Sequence, residues 1–134
     1  MFTLTTRDRQ RLVGVHTQLI RVVETAAAQA DIPRFTVLEG LRSKERQLEL
    51  VQAGASWTLK SRHLTGHAVD LAPLIQQGTG GRPAPSWHWP HYRPRAAIIK
   101  EIAAGLQVTL DWGGDWRKHP DGPHWQLNWK AYPA

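Results

Sequence analysis

Apolar residues recur three and four positions apart at Leu12, Val15, Leu19, Val22, Val23, Ala26 and Ala30, and this stripe predicts one long amphipathic helix over residues 6–30, ended by Asp31-Ile32-Pro33. Phe35-Thr36-Val37-Leu38-Glu39 is rich in β-formers and is closed by Gly40, so it reads as a short strand. Ser43 then caps a helix that stops at Gly54. Residues 55–66 have no clear period and read as a loop leading into a strand over 67–72. From Pro73 to Pro90, Gly78, Gly80, Gly81 and further prolines predict a long surface loop. A second amphipathic helix is expected over 92–104, with Ala97, Ile98, Ile102 and Leu106 toward the core, Gly105 as its stop and Pro94 tolerated near its first turn. Strands over 108–112 and 124–128, with a turn at Gly113-Gly114, complete the pattern. Helices separated by short strands without a regular βαβ rhythm predict an α+β fold, a small mostly antiparallel sheet packed by helices.

Composition narrows the function classes. A chain of 134 residues is expected to form a single domain over 1–134, and 41% hydrophobic with 21% charged residues fits a globular protein. The formal charge is 17 − 11 = +6, which favours anionic partners. The basic residues are scattered and form no run, so nucleic acid is not the expected partner. No segment has the continuous apolar length of a membrane span, and the opening Met1–Arg7 runs into charged residues without the apolar region of a secretory signal. Cysteine is absent, so any metal site must draw on His, Asp and Glu.

The densest chemistry lies in Ser61-Arg62-His63-Leu64-Thr65-Gly66-His67-Ala68-Val69-Asp70-Leu71. In a strand over 67–72, Ala68 and Asp70 share one face while Val69 and Leu71 turn into the core. An ionised carboxylate in that setting needs a partner, and a metal ion is one way to hold it charged. His63 stands seven residues earlier, with Gly66 free to turn the chain between them, and His124 opens the last strand. Two imidazoles and one carboxylate form a three-ligand set common in catalytic zinc sites, with a fourth position left for water. His67 stands four residues after His63, but Gly66 and the β-rich residues that follow oppose a helix, so His67 falls outside the set.

The string Ser61-x-His63-x-x-Gly66-x-Ala68-x-Asp70, followed by Asp121-x-x-His124, resembles the zinc D-Ala-D-Ala and L-alanyl-D-glutamate peptidase group, most of all its small phage endolysins. Glu39-Gly40-Leu41-Arg42-Ser43, Glu45-Arg46-Gln47 and Trp112-Gly113-Gly114-Asp115-Trp116 extend the resemblance nearly end to end. It implies a Hedgehog/DD-peptidase-like fold, Zn2+ on His63, Asp70 and His124, Asp121 as general acid/base, Arg42 near the substrate or the developing oxyanion, and Ser61 beside the metal, binding substrate or orienting His63. Relatives commonly carry Glu where this chain has the shorter Asp121. The implied activity is hydrolysis of the L-Ala–D-Glu bond of peptidoglycan stem peptides for host cell lysis. The alternatives are a D-Ala-D-Ala carboxypeptidase or dipeptidase, and a non-catalytic, zinc-containing wall-binding domain. A monomer is expected that accumulates in the host cytoplasm and reaches the wall after a separate protein permeabilises the membrane.

Each assignment has a plainer competitor. Asp121-Gly122 is also a turn signal, and Asp115 is a rival base at a neighbouring turn. Arg42 has Glu39 and Glu45 as ready ion-pair partners, and Ser61 can serve as a loop cap. His16 is read as facing out of the first helix, and it, His88, His91 and His119 are expected in surface or capping roles. Most of the seven tryptophans are expected in the core, with those near 87–89 and 112–116 as candidates to wall a groove.

Overall fold

The computed structural model describes residues 1–134 as α1 (Thr6–Arg11), α2 (Thr17–Ala28), β1 (Phe35–Glu39), α3 (Lys44–Gln52), a 3-10 turn (Arg62–Thr65), β2 (Ala68–Gln76), β3 (Pro83–Pro85), α4 (Trp89–Gly105), β4 (Leu110–Trp112), a second 3-10 turn (Gly113–Asp115) and β5 (His124–Leu127). The sheet is antiparallel in the order β1-β2-β5-β4, with β3 on the far end of β2. The α+β architecture is as the sequence predicts.

Its core joins Leu19, Val22, Val23 and Ala26 of α2, Phe35 and Val37 of β1, Val69 and Leu71 of β2, Tyr92, Ala96 and Ile99 of α4, and Trp112, Trp125 and Leu127 of the last two strands. Central β2 is thus covered on one side, while Asp70 projects from the other, beside His124 across the β2–β5 pair.

Three elements differ from the sequence reading. The opening helix is two helices joined by an elbow at residues 12–16, where Gly14 takes φ +84° and the His16 ring accepts the Gln18 N–H as the cap of α2. Apolar spacing passes through the elbow unbroken, since Leu12 and Val15 stay buried, although Ala30 is exposed. The expected loop after Pro73 begins as strand: β2 continues to Gln76 and folds back through β3 as a hairpin. Pro73 lacks an N–H yet accepts one from Ser86, and Leu74 N–H donates to the Arg34 carbonyl. Finally, α4 starts at Trp89 with Pro90 in its first turn and buries Tyr92, Ala96, Ile99 and Ala103, leaving Ala97 exposed.

The elbow also seats the residues around His63. A Cβ on Gly66 would stand 2.3 Å from the Gly14 carbonyl oxygen, and one on Gly40 would stand 2.1 Å from the Arg11 carbonyl oxygen. Gly66 further needs its φ of +74° to end the 3-10 turn. Both glycines let the elbow lie flush against the segment that carries His63.

Candidate metal centre

His63 sits on the 3-10 turn, Asp70 on β2 and His124 on β5, and one ligand atom from each lies within 4.8 Å of the others. His63 is 1% exposed and His124 6%. His63 Nδ1 donates to the Gly40 carbonyl oxygen at 2.8 Å, which leaves Nε2 as a bare lone pair 3.2 Å from Asp70 Oδ1. His124 Nε2 donates to Gln126 Oε1 at 2.9 Å, which leaves Nδ1 facing the same carboxylate oxygen at 3.3 Å. Three acceptors therefore converge on one point with no donor among them. Only a positive charge relieves this, a shared proton or a cation.

The electrostatics agree. Burial alone would raise the Asp70 pKa, but His124 and His63 outweigh it and hold the carboxyl far below its usual range. Burial alone would lower the His124 pKa, yet the Asp70 carboxylate pulls it up. The donor set of two imidazole nitrogens and one carboxylate oxygen fits a tetrahedral divalent metal with one position open. The hydrogen bonds to Gly40 and Gln126 fix each ring as a metal site requires.

Asp121 borders the same cavity, on a segment pinned by three contacts. Its N–H donates to the Gly113 carbonyl at 2.9 Å, Trp112 Nε1 donates to the Gly122 carbonyl at 2.7 Å, and Gly122 lies against the Tyr92 ring. Burial and then the Asp70 charge push the Asp121 carboxyl up from its ordinary value. The Tyr92 hydroxyl, buried and near both aspartates, is pushed up to about 12 and stays a neutral donor to the Ser86 carbonyl. Asp115 is elsewhere: it is paired with Lys100 at 2.6 Å and does not line the cavity.

Residues 1–128 match the model of the phage L-alanyl-D-glutamate peptidase family. The chain belongs to that family. It is 35% identical over 96 residues to an L-alanyl-D-glutamate peptidase of Listeria phage A118, a match that covers 72% of this chain but 31% of the relative, so the chain spans about a third of that protein's length. It is 25% identical over 130 residues to the L-alanyl-D-glutamate peptidase of Escherichia phage T5, covering 90% of this chain and 93% of that one. The crystal structure of the Serratia marcescens L-Ala D-Glu endopeptidase ChiX superposes with a TM-score of 0.84 at 44% identity, covering 98% of this chain and 93% of that one. The chain is a peptidase of this family, and its His-Asp-His group can hold the metal.

In this peptidase Arg42 is 8% exposed at its side chain and heavily engaged. It donates to Glu39 through Nε and Nη2, both at 2.8 Å, and to Gln47 Oε1 at 2.7 Å, while Nη2 stands 3.7 Å from Asp70 Oδ2. The Glu39 pairing foreseen as the plain alternative is present, and the guanidinium still lines the cavity with two of its five donors uncommitted. Ser61 also lines the cavity, and its Oγ accepts the His63 N–H at 3.2 Å as cap of the 3-10 turn. His67 is held by Thr65 and lies tilted against His16, outside the ligand group. His16 is half-buried as a helix cap and does not face outward.

The sequence reading gave no site role to Gln126 and Gly40, which orient the two imidazoles, or to Gln47, which joins Glu39 in holding Arg42. Gln126 was detectable as a polar residue at even spacing from His124 in a strand, hence on the same face. The Gly40 carbonyl carries no side-chain signal at all. The tryptophans depart most from expectation: Trp112 and Trp125 are buried, whereas Trp57, Trp87, Trp89 and Trp129 are exposed. Trp57, Trp87, Trp116 and Trp129 line the cavity, so residues 87 and 116 do wall the cleft.

Proposed function

We propose that this chain is a zinc endopeptidase that hydrolyses the L-Ala–D-Glu amide of peptidoglycan stem peptides, with one zinc held by His63, Asp70 and His124. The observation that carries this reading is the convergence of three lone pairs on one point inside a fold of the L-alanyl-D-glutamate peptidase family. A zinc ion there supplies the Lewis acidity for attack of water on an amide carbonyl.

Asp121 accepts the proton of the attacking water and returns it to the departing D-Glu nitrogen. A carboxylate beside the ligand group is suited to that proton transfer. Arg42 stands 3.7 Å from Asp70 Oδ2 and presents its two remaining donors to the oxyanion or to a substrate carboxylate. Ser61 holds the turn that carries His63 and meets the substrate at the cavity wall.

No helix is long and apolar enough to cross a membrane. Action at the wall after release by a separate membrane-permeabilising protein, as a monomer, belongs to the same proposal. Incubation of purified peptidoglycan with the zinc-loaded protein, read by mass spectrometry, tests it. New D-Glu amino termini are expected. Release of D-Ala instead shifts the assignment to a carboxypeptidase, and no cleavage by the wild type leaves a binding domain.

A further inference from the structure

The cleft carries more open indole surface than hydrolysis requires. Trp57, Trp87 and Trp129 line it and are 65%, 66% and 51% exposed. Three large apolar rings left in water on the wall of one cavity mark a surface that becomes covered when a ligand binds. Two of them are braced by a neighbour stacked on the ring. Trp57 lies against His119 with ring centroids 5.3 Å apart and planes 17° from parallel, and the Arg62 guanidinium sits 4.1 Å from the centre of the Trp129 ring. His119 holds φ +52°, a left-handed conformation uncommon for a residue with a side chain, and in it presents its ring to Trp57. A braced, exposed indole is a rigid platform that loses little freedom on binding.

Flat apolar platforms bordered by polar groups suit a pyranose ring, whose C–H face stacks on an aromatic while its hydroxyls point sideways. Lys60, Ser61 and Lys118 line the same cleft. The substrate assigned under Proposed function brings such a ring within a fixed reach. In a peptidoglycan stem the L-Ala nitrogen is acylated by a lactyl group that is ether-linked to an N-acetylated sugar. About six bonds, roughly 7 Å when extended, separate the scissile carbonyl carbon from that sugar. The cavity has a volume of about 1040 Å³, equal to a cube about 10 Å on edge, so carbonyl and sugar occupy one cleft.

We propose that Trp57 braced by His119, together with Trp129 braced by Arg62, forms a saccharide subsite for the N-acetylated sugar that carries the stem peptide. The enzyme then reads the sugar–peptide junction and not the peptide alone, an inference that rests on the peptidoglycan reading. The test measures, by isothermal titration calorimetry, binding of two ligands to Asp121→Ala protein loaded with zinc: the stem peptide bearing its lactyl sugar, and the same peptide with an acetyl group in place of the lactyl sugar. The sugar-linked peptide is expected to bind about tenfold more tightly. Adding Trp57→Ala should reduce that ratio to about two or below, and Trp57→Tyr should keep most of it. Trp57 lies outside the core, so thermal unfolding serves as the check on folding. Equal affinities, no binding of either peptide, or a ratio that Trp57→Ala does not move would overturn the subsite. Failure of the wild type to cleave peptidoglycan would instead overturn the peptidase reading, and the affinity ratio is measured independently of it.

Discussion

At the floor of the cleft the two imidazoles are buried and Asp70 is half-buried, two of the three candidate ligands stand on paired strands, and both imidazoles have their second nitrogen fixed by Gly40 or Gln126. At the rim, residues 55–61 and 116–121 form no helix or strand, and Trp57 and His119 meet only ring against ring. The contrast shows a division of labour. Placing a cation and a base demands tolerances that only sheet-backed, hydrogen-bonded side chains hold, whereas grasping a substrate can be left to loops presenting broad surfaces. Asp121 shares the fixed placement of the floor although it is exposed and its segment is irregular, because Gly113, Trp112 and Tyr92 pin that segment.

Four measurements would break or sharpen that division. The largest effect is expected for Asp70→Ala, which removes the only anionic ligand from the floor: zinc affinity should fall by more than about a hundredfold and activity with it, read as zinc per protein after dialysis. Retention of one zinc would dissolve the floor as described. Next, Asp121→Asn should keep its zinc while kcat drops by about 10²–10⁴, separating the base from the ligands that surround it. Third, Phe35→Ala, beneath the sheet and 1% exposed, should cost about 3–5 kcal/mol in urea unfolding, against a change within about 0.5 kcal/mol for Trp57→Ala on the rim.

The smallest effect concerns the support of the sheet. Burial pushes the Asp8 carboxyl up, but the Thr36 hydroxyl and the Thr5 and Val37 N–H groups outweigh that and hold its pKa below the ordinary value. A depressed folded pKa stabilises the fold above the unfolded value of about 3.9 and loses that contribution as pH falls through the folded one. The stability advantage of wild type over Asp8→Asn should therefore be full at pH 6 and shrink below about pH 4, as urea titrations across that range would show.

The candidate ligand group was legible in the sequence because a turn and a strand translate the spacing of His63 and Asp70 into position and because the residue string, His124 included, resembles the family. His124 joins them only through the long-range pairing of β5 with β2, and the strands bearing Asp70 and His124 begin within a residue of where they were expected. What escaped was decided by the backbone or by long-range contact. Gly14 breaks the opening helix through a positive φ that leaves the apolar stripe intact, and Pro73 reads as a strand end although only its missing N–H is special. The tryptophans mislead for another reason. Their size predicts burial in general, but four of them are left open at or near the cleft, and nothing local in the sequence separates a core indole from a rim one.

The flush seating of the opening elbow on Gly40 and Gly66 reaches beyond packing. Gly40 presents to the elbow the side where its Cβ would stand, while its carbonyl steers the His63 ring, and the His16 N–H donates to the Gly66 carbonyl at 2.8 Å just past that residue. The elbow works as a stop against which a ligand is adjusted, in the manner of a lens mount. A bulkier residue or a one-residue insertion at positions 11–16 is expected to tilt His63 without altering any of the three groups proposed to hold the metal. Substitutions in these helices are thus expected to change metal affinity while the residues of the cleft stay the same.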